Sequence, residues 1–446
     1  MVTKWQMRAS GSPGEGRQRR KARTAHRARP ARYGEAMVLS SAGTDEAALL
    51  RTAMVDALVT GRGLSPQVER AMRTVPRECF LPGVPLQDAY SDDIITTDRE
   101  SDGTVLSCTT MPSCVAGMLE QLDVHPGDRV LEIGAGTGIN AALLAHLAGP
   151  AGHVTTIDIL PEAAERARRH LAAAGYGTVR VIIGDGALGY APDAPYDRII
   201  ITAGAWDIPP AWTRQAAPGA RMVIPLRISG FTHEVTLQRG RQPGGPAWAS
   251  LHSHLSGFIK MRGAGHHSER DVPIVAGGQS ELRVEAGLVA DSAALMRAAS
   301  LPPVRRWTGV HVTDPALPGL EIWLARLGGL TRLINRRPGH GLAPATGQGG
   351  SLAVLNSAGN TFAYLAYREG TSSGTTRELG ICAYGPQGGL LADSVAGRVR
   401  AWAAEQPALA TLIEIYPVDA PPSSSLGEAL LTVTKEQTRI VVRAAR

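Results

Sequence analysis

Between residues 129 and 225 the chain alternates short apolar runs with amphipathic stretches. The runs at 129–133, 153–157, 179–183, 198–202 and 221–225 are almost continuously apolar, the pattern of strands buried on both faces. The intervening stretches at 139–147, 161–173 and 209–217 have helical spacing. This β-α-β-α alternation predicts an α/β fold built on a doubly wound parallel sheet. Upstream, Ala47, Leu50, Met54 and Leu58 recur at helical intervals, and residues 66–75 read as a second, short helix. The proline-rich "VPRECFLPGVPLQDAY" reads as an ordered extended connection, and "MPSCVAGMLEQL" is helical again.

The texture changes near Gly263. "GAGHHSERDVPIVAGGQ" is polar and glycine-rich and reads as a domain junction. Beyond it come an apparent hairpin, "SLAVLNSAGNTFAYLAYRE", and a helix near 390–404 with Leu391, Val395, Val399 and Trp402 on one face. "ATLIEIYPV" and "TRIVVRA" read as strands. The pattern predicts a second, α+β C-terminal domain over 266–446 that folds alone and docks beside the carboxyl edge of the sheet. It contains no internal repeat and no catalytic signature.

A chain of 446 residues exceeds one ordinary core, which agrees with two domains. No stretch approaches ~18 consecutive apolar residues, so no membrane partner is expected. The N-terminus has no apolar segment of a secretory signal. Cys79, Cys108, Cys114 and Cys382 include no C-x-x-C pair and make no disulfide framework, which fits a cytoplasmic protein. Only four of the 46 basic residues are Lys, the usage of a GC-rich bacterial genome. The net charge of +6 is uneven, because residues 1–40 hold ten basic and two acidic residues and the remainder is slightly acidic. This basic tail lacks an apolar period and is expected to be disordered. A translated leader ahead of Met37 is preferred to a nucleic-acid-binding arm, and nucleic acid is not an expected partner.

The candidate chemistry begins in "VLEIGAGTGINAALLAHL". Gly134, Gly136 and Gly138 stand at alternate positions, and Ile139 occupies the third glycine position of a dinucleotide fingerprint. A G-x-G-x-G turn with Glu132 in the preceding strand suits a ligand without a pyrophosphate, such as S-adenosylmethionine. Taken alone, the spacing leaves the two ligands evenly balanced. The second strand ends in Asp158, which can accept two ribose hydroxyls, a device that dinucleotide enzymes share. The third ends in Asp185, placed to accept from an adenine amino group, with Gly186 beside it for close approach. Three acids at successive strand ends make three coincidental loop residues a poor account.

Read together, "VPRECF", "AYSDD", "VLEIGAGTG", "GDG" and "YDRIIITAGAWDIPPAW" resemble the protein-L-isoaspartate O-methyltransferase family over residues 45–262. The resemblance implies a Rossmann-like class I methyltransferase sheet over 41–265 and S-adenosyl-L-methionine as cofactor. It places Glu132, Gly134, Ala135, Gly136, Gly138, Asp158, Ile159, Asp185, Gly186 and Thr202 at that cofactor, with Ala203 near it. The family's T-I-S-Q-P stretch corresponds to "CTTMP", so Thr110 takes the position of its catalytic hydroxyl and Met111 that of its glutamine. "GFIKMRG" at 257–263 replaces the family's substrate strand. For Thr110 the competing role is the N-cap of the helix that follows. No metal site is expected: His266 and His267 read as surface residues, and His252 and His254 share a strand face with no evident acidic or cysteine partner.

The implied enzyme is a carboxyl O-methyltransferase. A peptide carboxylate is already ionised at pH 7, so alignment with the sulfonium methyl and loss of water carry most of the rate. The expected substrate is an aspartyl or isoaspartyl side chain whose ester then closes to a succinimide. Relatives with an added C-terminal domain accompany ribosomal peptide clusters of the FxLD lanthipeptide type, so a precursor peptide is the expected partner. The alternatives are general repair of isoaspartyl proteins and, in another class, a catalytically silent adenosylmethionine-binding protein.

Overall fold

The computed structural model describes residues 41–241, 244–313, 317, 319–335, 342, 350–369, 376–405, 411–420 and 429–444. The basic tail at 1–40 lies outside the described residues, except that the first helix begins directly after it.

The chain starts with α1 (Ser41–Arg62) and α2 (Pro66–Thr74). Helix α2 starts where the sequence suggests, because the Ser65 hydroxyl accepts the Val68 amide and Pro66 sits at the first helical position. A short α3 (Leu86–Ala89) leads to the hairpin β1 (Ile95–Arg99) and β2 (Val105–Thr109), a two-stranded sheet of its own. Helix α4 (Pro112–Leu122) follows and is buried along most of its length.

The expected alternation comes next: β3 (Arg129–Ile133), α5 (Ile139–Ala148), β4 (His153–Asp158), α6 (Pro161–Ala173), β5 (Arg180–Ile183), β6 (Tyr196–Ile201), α7 (Pro210–Gln215) and β7 (Ala216–Ile228). Strands β3 to β7 are parallel in the order β5-β4-β3-β6-β7. The order reverses between β3 and β6, which opens a crevice beyond their carboxyl ends. Helix α7 is shorter than the expected 209–217, because Ala216 is already extended, with ψ 141°, two residues ahead of Pro218. Antiparallel β8 (Phe231–Arg239) and β9 (Trp248–Leu255) continue the sheet.

A second layer is inserted here. It comprises β10 (Glu269–Pro273), β11 (Ser280–Glu285), α8 (Ser292–Ala299), β12 (Val304–Val312), α9 (Leu320–Ala325), β13 (Leu330–Asn335), β14 (Gly350–Leu355), β15 (Phe362–Glu369), β16 (Arg377–Tyr384) and α10 (Gly388–Ala404). Its seven strands form an antiparallel sheet in the order β10-β11-β13-β14-β15-β16-β12. The predicted hairpin is β14–β15, and Val395, Val399 and Trp402 of α10 pack as their spacing suggests.

The chain then returns to the first sheet. β17 (Thr411–Pro417) pairs with β9, β19 (Thr438–Ala444) with β17, and β18 (Leu431–Thr434) with β19, giving ten strands. The expectation of a separate C-terminal domain over 266–446 is corrected accordingly: 269–404 form the added layer, whereas the described strands of 411–444 belong to the ten-stranded first sheet. Ile413, Ile415, Ile440 and Val442 bury against Trp248 and Leu237, and β17 covers a β9 edge that would otherwise be open. The two layers also share core, since Ile322 of α9 packs in the cluster under the first sheet. Among the described residues, no helix is long and apolar enough to cross a membrane.

Candidate active site

Strand β3 leads into a turn that needs glycine for two different reasons. Gly134 has φ 106°, and a Cβ there would lie 2.3 Å from Thr202 Oγ1. That hydroxyl donates to the carbonyls of Ile133 and Gly134 at 3.0 and 2.9 Å, tying the turn to the end of β6. Gly138 has φ 91°, and a Cβ would lie 3.1 Å from the Ala167 carbonyl oxygen. Its bareness lets α5 start against α6.

The turn opens on a cavity of about 850 Å³ at the sheet's reversal point. The wall carries Glu132, Gly134, Ala135, Gly136, Asp158, Ile159, Gly186 and Thr202, with Thr110 on the same cavity. Gly138 and Asp185 are not on that wall. Both had been expected at the cofactor; Gly138 is occupied in packing two helices, and Asp185 in holding a loop.

The three strand-end acids divide their work. Glu132 is fully buried and accepts from Asn140 Nδ2 at 2.7 Å and Thr156 Oγ1 at 2.6 Å. Burial pushes its carboxyl up to about 7, against those two hydrogen bonds. It braces β3, β4 and α5 beneath the turn. Asp158 accepts the Gly136 amide at 2.9 Å and the Leu160 amide at 3.0 Å, one on each oxygen. This fixes its orientation and leaves each oxygen a further lone pair for a diol. Asp185 accepts the amides of Ala187 at 2.9 Å and Ala264 at 2.7 Å, so it anchors the loop after residue 262.

Two further elements close the cavity. One side is β2 from Val105 to Thr109, whose partner strand β1 is held to α6 by a bidentate Arg166–Asp98 pair at 3.0 and 2.7 Å. The other is the segment 254–262, which follows β9. The Gly204 amide donates to the Ile259 carbonyl at 2.7 Å and the Met261 amide to the Gly204 carbonyl at 2.9 Å, so this segment lies along the residues after β6. Arg262 reaches Glu100 of the β1–β2 hairpin at 2.8 Å, joining the two walls.

Thr110 does not cap α4. The N-cap position is Met111, with no side-chain cap, and the Asp92 carboxylate takes the Ser113 amide at 2.8 Å instead. Among the described residues the Thr110 hydroxyl has no protein partner. Its backbone is held from beneath: the buried Arg77 guanidinium donates to the Thr110 carbonyl at 3.1 Å and the Ala89 carbonyl at 2.6 Å. Burial lowers the Arg77 pKa to about 10, which leaves it charged. Arg77 lies in "VPRECF" and Asp92 in "AYSDD", two stretches quoted in the sequence without a role for either residue.

The histidines also differ from expectation. His267 is not a free surface residue: it stacks on Trp206 with centroids 3.4 Å apart and planes 4° apart, and burial lowers its pKa to about 4. His254 does have an acidic partner. Its Nε2 lies 3.6 Å from Oε1 of Glu234, its cross-strand neighbour, and Cys114 Sγ is 3.9 Å from the other oxygen. The only signal was the register of β8 on β9.

Comparison with known proteins finds relatives of one family. The family model "Protein-L-isoaspartate(D-aspartate) O-methyltransferase (PCMT)" matches residues 50–244. A protein-L-isoaspartate O-methyltransferase of Ignicoccus hospitalis is 46% identical over 160 residues, covering 36% of this chain and 73% of its own. One of Methanothermobacter thermautotrophicus is 38% identical over 209 residues, covering 45% of this chain and 94% of its own. A solved protein-L-isoaspartate O-methyltransferase structure superposes with a TM-score of 0.45 at 20% identity, over 75% of this chain and 87% of its own.

Proposed function

Because the chain belongs to the protein-L-isoaspartate O-methyltransferase family and is an S-adenosylmethionine-dependent methyltransferase, we propose that it methylates an aspartyl or isoaspartyl carboxylate in one dedicated peptide, during maturation of a ribosomal peptide product. The observation that carries the dedicated substrate is the seven-stranded layer inserted between β9 and β17. Promiscuous repair needs the acceptor carboxylate and little else, whereas a large added layer joined to the wall of the site offers a second place for a peptide to bind.

On this reading each residue has a role. Asp158 takes the ribose diol. The turn at Gly134 and Gly136 receives the amino-acid end of the cofactor, and Gly186 and Ile159 border its adenine. When bound, the cofactor supplies an electrophilic sulfonium methyl. The Thr110 hydroxyl, unengaged and on the same cavity, donates to the acceptor carboxylate and aligns one oxygen with that methyl. Arg77 holds Thr110 through its carbonyl. The β1–β2 hairpin and the segment 254–262 exclude water, so the attacking carboxylate loses its hydration shell.

Turnover on isoaspartyl peptides with unrelated flanking sequences tests the reading. A dedicated enzyme discriminates among them by on the order of 10²-fold or more, the gain expected from a tethered second contact. Uniform kcat/KM across the set replaces this reading with general repair. A gene for a precursor peptide beside that of the enzyme would identify the cognate substrate.

A further inference from the structure

We propose that His254, backed by Glu234, is a general base that closes the methyl ester to the succinimide while the peptide is still bound. The proposal rests on carboxyl methylation and adds a second activity at the same cavity. Methyl transfer to a carboxylate needs no base, so an imidazole–carboxylate pair on this wall is unused by the first reaction.

The pair is built rather than incidental. His254 and Glu234 are directly opposed residues of β9 and β8, with Nε2 and Oε1 3.6 Å apart. Glu234 is 2% exposed, and its Oε1 accepts from Gln121 Nε2 at 2.8 Å, while Gln121 Oε1 accepts from Thr236. This fixes the carboxylate on the protein side of the imidazole. His254 is the partly exposed member, and among the described residues it is the imidazole of the cavity wall that also carries Thr110 and Met111. Burial, with the Arg62 guanidinium, keeps His254 below its ordinary pKa, so it is neutral and able to take a proton at pH 7, while burial pushes its partner Glu234 up to about 7. The neighbouring Cys114 is no competitor, since burial and Glu234 push its thiol up to about 12.

The step balances without a co-reactant. His254 takes the proton of the backbone amide that follows the esterified residue. The amide nitrogen attacks the ester carbonyl carbon and the C–N bond forms. The C–OCH₃ bond then breaks, and the imidazolium returns its proton to the departing methoxide. The products are a succinimide and methanol. General base assistance of this kind is worth about 10²–10⁴-fold.

The test uses the full chain in excess over a short isoaspartyl-glycyl peptide and methyl-labelled S-adenosylmethionine, in a single turnover. Methyl incorporation and methanol release are followed separately. The expected result is that bound ester releases methanol at least tenfold faster than the same ester after the enzyme is removed. His254→Asn should bring release down to the free-ester rate while ester still forms, and Glu234→Gln should lower release relative to methyl transfer. The wild-type release rate should rise with pH through the imidazole titration, with Arg62, His252, Glu234 and Cys114 as the groups facing that ring, and His254→Asn should abolish this dependence. Equal release from bound and free ester overturns the proposal, and this comparison needs no variant to fold. Equal losses of transfer and release in His254→Asn also overturn it. Failure of the wild type to form ester on this peptide and on every isoaspartyl peptide of the flanking-sequence set overturns the carboxyl-methylation reading as well, and so is distinguishable.

Discussion

The Asp207 carboxylate accepts the amide of Gln437 at 2.9 Å, across 230 positions of sequence, and its other oxygen takes the Thr438 hydroxyl. Beside it Lys435 Nζ donates to the carbonyls of Trp206 and Arg227. The turn between β18 and β19 is thus pinned to the stretch after β6 that borders the cavity. Asp207→Ala should lower stability by about 1–3 kcal/mol, because the Ile208 and Gln437 amides and the Thr438 hydroxyl lose their acceptor. A protein ending near Gly265 should fare worse, because it strips β17 from β9; we expect aggregation rather than a soluble cofactor-binding fragment. Thermal melts and size-exclusion chromatography of both proteins check this.

Removing the Asp158 carboxylate should act chiefly on the cofactor, with a smaller loss of stability from the Gly136 and Leu160 amides it now accepts. Asp158→Ala should weaken S-adenosylmethionine binding about 10- to 100-fold, the range of a lost hydrogen bond to a charged group at 1.5–3 kcal/mol. NAD should not compete in the wild type. Calorimetric titration reads both.

Thr110 and Asp92 should separate cleanly. Asp92→Ala should cost about 1 kcal/mol of stability, since it removes the acceptor for the first turn of α4. Thr110→Ala should leave the melting temperature in place and lower turnover on an isoaspartyl peptide about 10- to 100-fold, with cofactor affinity unchanged. A loss of stability in Thr110→Ala with intact kinetics would return it to a structural role.

Glu132 should give the protein a pH-dependent term of defined sign. Its carboxyl titrates near 7 when folded, well above the usual carboxylate value, and burial is the main cause. Between about 4.5 and 7 the folded state therefore holds a proton that the unfolded state has lost, so stability falls as pH rises across that window. Glu132→Gln keeps the shape and removes the titration. The wild type should lose stability relative to Glu132→Gln as pH rises from 4.5 to 7, by about 3 kcal/mol in all. Denaturant melts at several pH values measure the difference.

The sequence by itself determined the parallel half of the sheet, the glycine turn and the acids at the strand ends. These are local: a strand buried on both faces must be apolar throughout, and a left-handed backbone at Gly134 excludes a side chain whatever the rest of the chain does. The strands at 411–417 and 438–444 were legible too, but not the sheet they join, because β pairing is carried by backbone hydrogen bonds that are the same for any partner. Only the tertiary structure decided that they extend the methyltransferase sheet, that Asp92 rather than Thr110 serves α4, and that His254 faces Glu234. Each depends on which atoms lie within about 4 Å across dozens to hundreds of residues, and a buried carboxylate or imidazole takes its charge from those neighbours and from lost water rather than from its place in the chain.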